Sequence, residues 1–286
     1  MRALLSIGVL LLTGVSSLAC ECADEASDAT AQPLQPNRAI SDSAPNSTVF
    51  DARVAQEILH LVNQARAQAG LVPLVLDETL TQAAQAHGRE MLQHGRLSHQ
   101  FPGEADLLVR LGQSGVHLSR AGENVAFDYS AAHAHQALML SDEHRRNLLD
   151  PSFNAVGIAV IWNRCQMYVV QDFARELPTY DAGQAEDLIA DKVATLRTQT
   201  RLPRLNRVKN SKLSEACSSG KAKQSRAVFS NARYVLSYSN AEPQALPPSA
   251  GNVIRDSQMR DFSVGACYAR TDKNPNGAYF VTMMFY

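Results

Sequence analysis

Two histidines and a glutamate in the N-terminal half have the side chains that chemistry needs. They are His99 in Leu97-Ser98-His99, Glu123 in Gly122-Glu123-Asn124-Val125-Ala126, and His144 in Asp142-Glu143-His144-Arg145-Arg146-Asn147. Two imidazoles and one carboxylate suffice for a divalent-metal site with an open position, as zinc favours. They also suffice for acid–base work, because imidazole titrates near neutral pH. A hydrolase built this way would use metal-bound water, with Glu123 as base or third ligand. Spacing alone does not bring the three residues together.

The remaining histidines offer less. His87 and His94 sit seven apart on one helix, about 10.5 Å along its axis, too far for one ion. Glu90 lies between them, but the HExxH order is absent, and His87 reads as a packed helix residue. His133 and His135 face different sides of a helix suggested by Ala131 to Leu140, and His60 and His117 are expected at the surface. Ser218-Ser219-Gly220-Lys221 matches S-x-x-K without its usual partner motifs. The basic series from Arg197 to Lys212 has no aromatic residue, so it reads as a solvated face and not a nucleic-acid site.

Elements that could position these residues are legible from Phe50 onward. Val54, Ile58, Leu61, Val62 and Ala65 recur at helical spacing, with Gly70 as a stop. Asp77 stands where an N-cap belongs, ahead of Leu80, Ala83, Ala84, His87 and Met91. Val156 to Val160 and Met167 to Phe173 read as strands joined through Asn163-Arg164. The order returns downstream: Arg66/Arg197 and Gln68/Gln199 align without a gap, and Leu213 parallels Leu80 after a two-residue insertion. Val264-Gly265-Ala266 then parallels Val156-Gly157-Ile158, which reads as an internal duplication.

The 286 residues carry a formal net charge of −1, which argues against nucleic acid as the main partner. Charge is divided unevenly, with 12 Arg, no Lys and 19 acidic residues in 1–180, and 15 basic and 9 acidic residues in 181–286. All eight histidines lie between His60 and His144, so the halves have different tasks. Arg2 followed by the apolar run Ala3 to Val15 and Ser17-Leu18-Ala19 matches a signal peptide over 1–19, too short to span a bilayer. Cys20 is then either a lipidation site or, with Cys22, a tail thiol, and residues 20–48 read as a flexible tether.

After the helix Val62-Asn63-Gln64-Ala65-Arg66, four segments follow in order: Ser98-His99, Gly122-Glu123-Asn124, His144-Arg145-Arg146-Asn147-Leu148-Leu149 and Val156-Gly157-Ile158. Together they resemble the CAP superfamily (cysteine-rich secretory proteins, antigen 5, pathogenesis-related protein 1), above all its bacterial branch. The resemblance implies an α/β fold, a three-layer α–β–α sandwich over 49–176 whose cleft gathers His99, His144 and Glu123. Asn124 and Asn147 would be its structural asparagines. A linker at 177–183 and a smaller, degenerate repeat of similar topology at 184–286 would complete the chain. Many eukaryotic members carry a second cleft glutamate, but the corresponding stretch from Tyr129 to Leu140 has no Asp or Glu. The expectation is therefore an exported protein, secreted or anchored in a bacterial envelope, that binds a lipid or other envelope ligand. The alternative is a metal-dependent hydrolase, a protease or esterase using His99, His144 and Glu123, with zinc as the candidate metal. Cys217 and Cys267 are an expected disulfide pair, leaving Cys165 without an obvious mate.

Overall fold

Four aspartate or serine caps start the helices of the first unit. Asp51, Asp77, Asp106 and Ser130 each accept a hydrogen bond from the backbone N–H three residues on. They open α1 (Ala52–Gln68), α2 (Glu78–His94), α3 (Leu107–Ser114) and α4 (Ala131–Leu140), and α5 (Asp142–Leu148) follows. The strands are β1 (Val75–Leu76), β2 (Leu118–Asp128), β3 (Ala155–Asn163) and β4 (Gln166–Glu176), in the order β1-β3-β4-β2. Among these, β1 runs parallel to β3 and the other pairs are antiparallel. This computed structural model describes residues 50–210, 213 and 231–286. The expected signal peptide, the tether with Cys20 and Cys22, the Ser218–Lys221 motif and Cys217 lie outside those residues.

Alternation sorts the sheet into two faces. Val156, Ile158 and Val160 of β3, with Met167, Val169 and Phe173 of β4, pack against α1, α4 and Leu148 of α5. The opposite parity, Ala159, Tyr168 and Val170, packs against Ala84 and Met91 of α2. Helices on both faces make the expected three-layer sandwich. One contact fixes α2 closely: a Cβ on Gly157 would lie 2.1 Å from the backbone carbon of Leu80. Gly157→Ala therefore has to push a helix off the sheet. It is expected to lower stability by about 3 kcal/mol, read as the urea midpoint at unchanged slope.

The second unit contains α6 (Ala182–Gln199), β5 (Asn206–Arg207), β6 (Tyr234–Asn240), α7 (Pro248–Ile254), β7 (Asp261–Thr271) and β8 (Asn274–Phe285). Its sheet order, β5-β7-β8-β6 with β5 parallel to β7, repeats that of the first. A shared detail reaches the side chains. Buried Arg66 donates to the carbonyls of Val72, Leu148, Asp150 and Phe153. Buried Arg197 donates to those of Pro203, Ile254, Asp256 and Met259. Each guanidinium ties the C-terminal end of its helix to the loop behind the later short helix and to the approach to a central strand. The expected linker is shorter than 177–183, because Asp181 with Gln184 forms a capping box and α6 already runs through Gly183.

Candidate functional site

Glu123 sits on the edge strand β2, directly opposite Asp172 of β4, on the sheet face that α2 covers. Its side chain is only 3% exposed, and both oxygens are engaged. His99, in the loop after α2, donates Nδ1–H to Oε1 at 2.7 Å, and Arg110 of α3 donates to Oε2 at 2.6 Å. The Arg110 guanidinium also reaches Glu104 at 2.8 Å. Beneath them, His87 of α2 points one ring nitrogen at Glu104 Oε1 (2.6 Å) and the other at the Ser98 carbonyl (2.8 Å). Both partners are hydrogen-bond acceptors. Arg110 and the rings of His87 and His99 thus gather around two carboxylates in one cluster.

Asp172 is the remaining acid, fully buried, with no donor to either oxygen. Burial, reinforced by the negative charge of Glu123, pushes its carboxyl well above the usual carboxylate range. That shift favours the neutral acid and so eases the meeting of two carboxyls across neighbouring strands. Glu123 moves the other way. Burial works to raise it, but the hydrogen bond from His99 and the charge of Arg110 outweigh that and hold it below the ordinary range.

The two cleft imidazoles also separate. The hydrogen bond to Glu123 raises His99, whose side chain is 58% exposed and whose Nε2 edge is left free by that bond. Burial, together with the neighbouring charge of His99, lowers His144. α5 carries His144 to the β2 edge. α5 is held there by amides: Asn147 Nδ2 donates to the Glu123 carbonyl (3.1 Å) and to Asn124 Oδ1 (2.9 Å). Asn124 Nδ2 donates to the His144 carbonyl at 3.2 Å. Gly122 completes the fit, since a Cβ there would lie 3.0 Å from Asn147 Oδ1 and from the Phe153 ring.

The three-ligand zinc set of His99, His144 and Glu123 does not fit this geometry. Glu123 is saturated by His99 and Arg110, and no three His, Cys, Asp or Glu side chains form a metal cluster among the described residues. Glu123 instead orients the His99 ring. One other expectation changes, that for His117, and two gain detail. His87 is buried as expected, yet it belongs to the polar cluster and lies 3.8 Å from Glu123. His117 is buried against Tyr268 and Tyr279 of the second unit instead of facing solvent. His133 pairs with Asp128 at 2.7 Å. Arg110, Glu104 and Asp172 were not singled out from the sequence. Of these only Asp172 left a signal, a lone charge inside the apolar run from Met167 to Phe173.

The second unit has no counterpart of this cleft among its described residues. β6 and β8 contain no Asp or Glu. Four residues before the carbonyl bound by the buried arginine stands His144 in the first unit and Ala250 in the second.

Part of the chain is similar to known proteins. Residues 59–173 match the model of the cysteine-rich secretory protein (CAP) family. An uncharacterised protein of Bacillus subtilis strain 168, YkwD, is 31% identical over 120 residues, 42% of this chain and 46% of that protein. The chain spans under half the length of the curated relatives it matches. A Bacillus anthracis str. Ames extracellular protein with an SCP domain is similar at 29% identity and TM-score 0.40, covering 43% of this chain and 40% of that one. Na-ASP-1 covers 85% of this chain and 91% of its own at 9% identity, with TM-score 0.46. Residues 59–173 carry a domain of the CAP family, similar to those of bacterial relatives.

Proposed function

We propose that this is an exported envelope protein whose CAP cleft binds an extracytoplasmic lipid through its anionic head group, without turning it over. The carrying observation is that both oxygens of Glu123 are engaged by His99 and Arg110. Glu123 is therefore not free to act as a base. What the cleft offers outward is the Nε2–H of His99, favoured in its charged form by Glu123. Beside His144, a shallow pocket of about 560 Å³ is lined by Arg120, Arg145, Arg146 and Asn147, with Glu143 and Asp150 among them, and Arg120 pairs with Asp150 at 2.8 Å. Guanidinium and imidazolium donors suit a phosphate or carboxylate head group.

Export rests on the signal-peptide pattern of residues 1–19, with Cys20 as the point of lipid attachment if the chain is anchored. No helix among the described residues is long and apolar enough to cross a membrane. The second unit we read as a CAP copy that has lost its cleft chemistry, with Cys217–Cys267 as its disulfide. Sheet order and the paired arginines support the common origin.

Opposed shifts on two neighbouring imidazoles are also what an acid–base pair needs, so the hydrolase reading is tested alongside. Organic extraction of the purified wild type should release lipid, detected by mass spectrometry. The His99→Ala/His144→Ala double variant should retain at least about tenfold less, the loss of two charge-assisted contacts. Zinc-dependent esterase or protease turnover abolished by His144→Ala would overturn the binding assignment.

A further inference from the structure

The residue that joins the two buried glutamates stands on a helix whose far end is gripped by the second unit. We propose that the β7–β8 hairpin braces α3, with Arg270 as the positioning residue, and that the second unit thereby fixes Arg110 against Glu104 and Glu123. The proposal holds whether the cleft binds or hydrolyses its ligand.

Eight residues make a helix too short to persist by itself, and in α3 only Leu111 and Gly112 are buried. Its placement must come from contacts. At its C-terminus, Gly115 adopts φ +111° and donates to the Gly112 carbonyl at 3.1 Å. Arg270, on β7, donates to that same Gly112 carbonyl and to the Gly115 carbonyl. Its third bond, to the Pro275 carbonyl at 3.0 Å, locks the guanidinium to its own hairpin. A cation on the last carbonyls also complements the helix dipole.

Two further observations show that hairpin and helix are in close contact. A Cβ on Gly112 would lie 2.0 Å from Asn276 Oδ1 and 2.8 Å from the Asn276 backbone nitrogen. This explains a glycine inside a helix, where it is otherwise unfavourable. His117, just beyond α3, packs its ring 4.9 Å from that of Tyr268 and bonds the Pro178 carbonyl. From this held end, Arg110 reaches back to Glu104 at 2.8 Å and Glu123 at 2.6 Å.

The test uses the full chain with Arg270→Ala, Arg270→Gln and, as direct reference, Arg110→Lys. Arg175→Ala serves as control, because Arg175–Glu242 (3.4 Å) joins the units without touching α3. Hydrogen exchange of the 107–115 amides and the ¹⁵N shifts of the His99 ring are read together. Arg270→Ala should speed exchange in α3 about tenfold and move the His99 resonances in the direction set by Arg110→Lys. Arg270→Gln should fall between it and the wild type and decides the matter if the alanine variant does not fold. Unchanged α3 exchange, a His99 signal that stays put while α3 loosens, or an equal shift in Arg175→Ala would each overturn the brace.

Discussion

Arg110→Met is expected to lower stability by about 3–5 kcal/mol at pH 7, the range seen when one partner leaves a buried ion pair. Methionine fills similar space, so the loss would be electrostatic and not a cavity effect. Arg110 is 10% exposed and neutralises Glu104 and Glu123 together. In the variant, the His87 ring and the Nδ1–H of His99 are what remains to those carboxylates. The pH dependence gives the cause away. In the wild type both glutamates are held below the ordinary carboxylate range. Their contribution is therefore fully present above that range and lost as pH falls through the depressed folded values. Without the guanidinium, burial dominates and the folded values rise. The variant then tolerates neutral acids at low pH and suffers as they ionise. The stability gap between the two proteins should widen toward pH 7 and shrink as pH falls through 4 and below, measured by urea unfolding across that interval. A gap independent of pH would mean that Arg110 acts through packing alone.

Asp172 supplies the contrast. A carboxyl pushed toward its neutral form by burial loses little when replaced by a neutral amide of the same shape, so Asp172→Asn should stay within about 1 kcal/mol of the wild type. Glu123→Gln should not, because it strips the charge that both Arg110 and His99 face. That difference would separate the two acids, although register places them side by side.

Strands and helices were legible because their signals are local. The Asp77 cap, the hairpin through Asn163-Arg164 and the apolar spacing from Val54 to Ala65 each depend on a few neighbouring residues. The cleft trio was legible as a pattern of a family, not as a set of contacts. The cluster beneath it was not legible at all. His87, Glu104, Arg110 and Asp172 come from α2, the following loop, α3 and β4, and no short-range periodicity links them. His87 was legible as a packed residue from the apolar face of α2, but the acids that it meets lie elsewhere in the chain. The burial of His117 depends on the second unit docking against the segment after α3, which a reading of each unit alone could not supply.

Arg66 and Arg197 show where pattern and physics meet. The alignment marked them as equivalent without saying why an arginine should recur on the inner face of a helix. Each is 1% exposed and meets four carbonyls and no carboxylate at hydrogen-bond distance. Burial lowers the proton affinity of both, but guanidinium stays charged because its reference value is above 12. The charge is thus dispersed over carbonyl dipoles of the loops that deliver β3 and β7 into their sheets. Arg66→Ala leaves those carbonyls unpaired around a cavity, a loss of about 4 kcal/mol. Arg66→Lys should recover little of it, because an ammonium cannot reproduce the planar fork that spans Val72, Leu148, Asp150 and Phe153. If the two units are built alike, Arg197→Ala must cost a similar amount, within about 1 kcal/mol, even though its unit lacks the cleft. Urea unfolding of both variants, followed by circular dichroism and by Trp162 fluorescence in the first unit, tests this. A wild-type midpoint for either alanine variant would show that its guanidinium is dispensable. A large loss for Arg66 alone would sink the shared architecture.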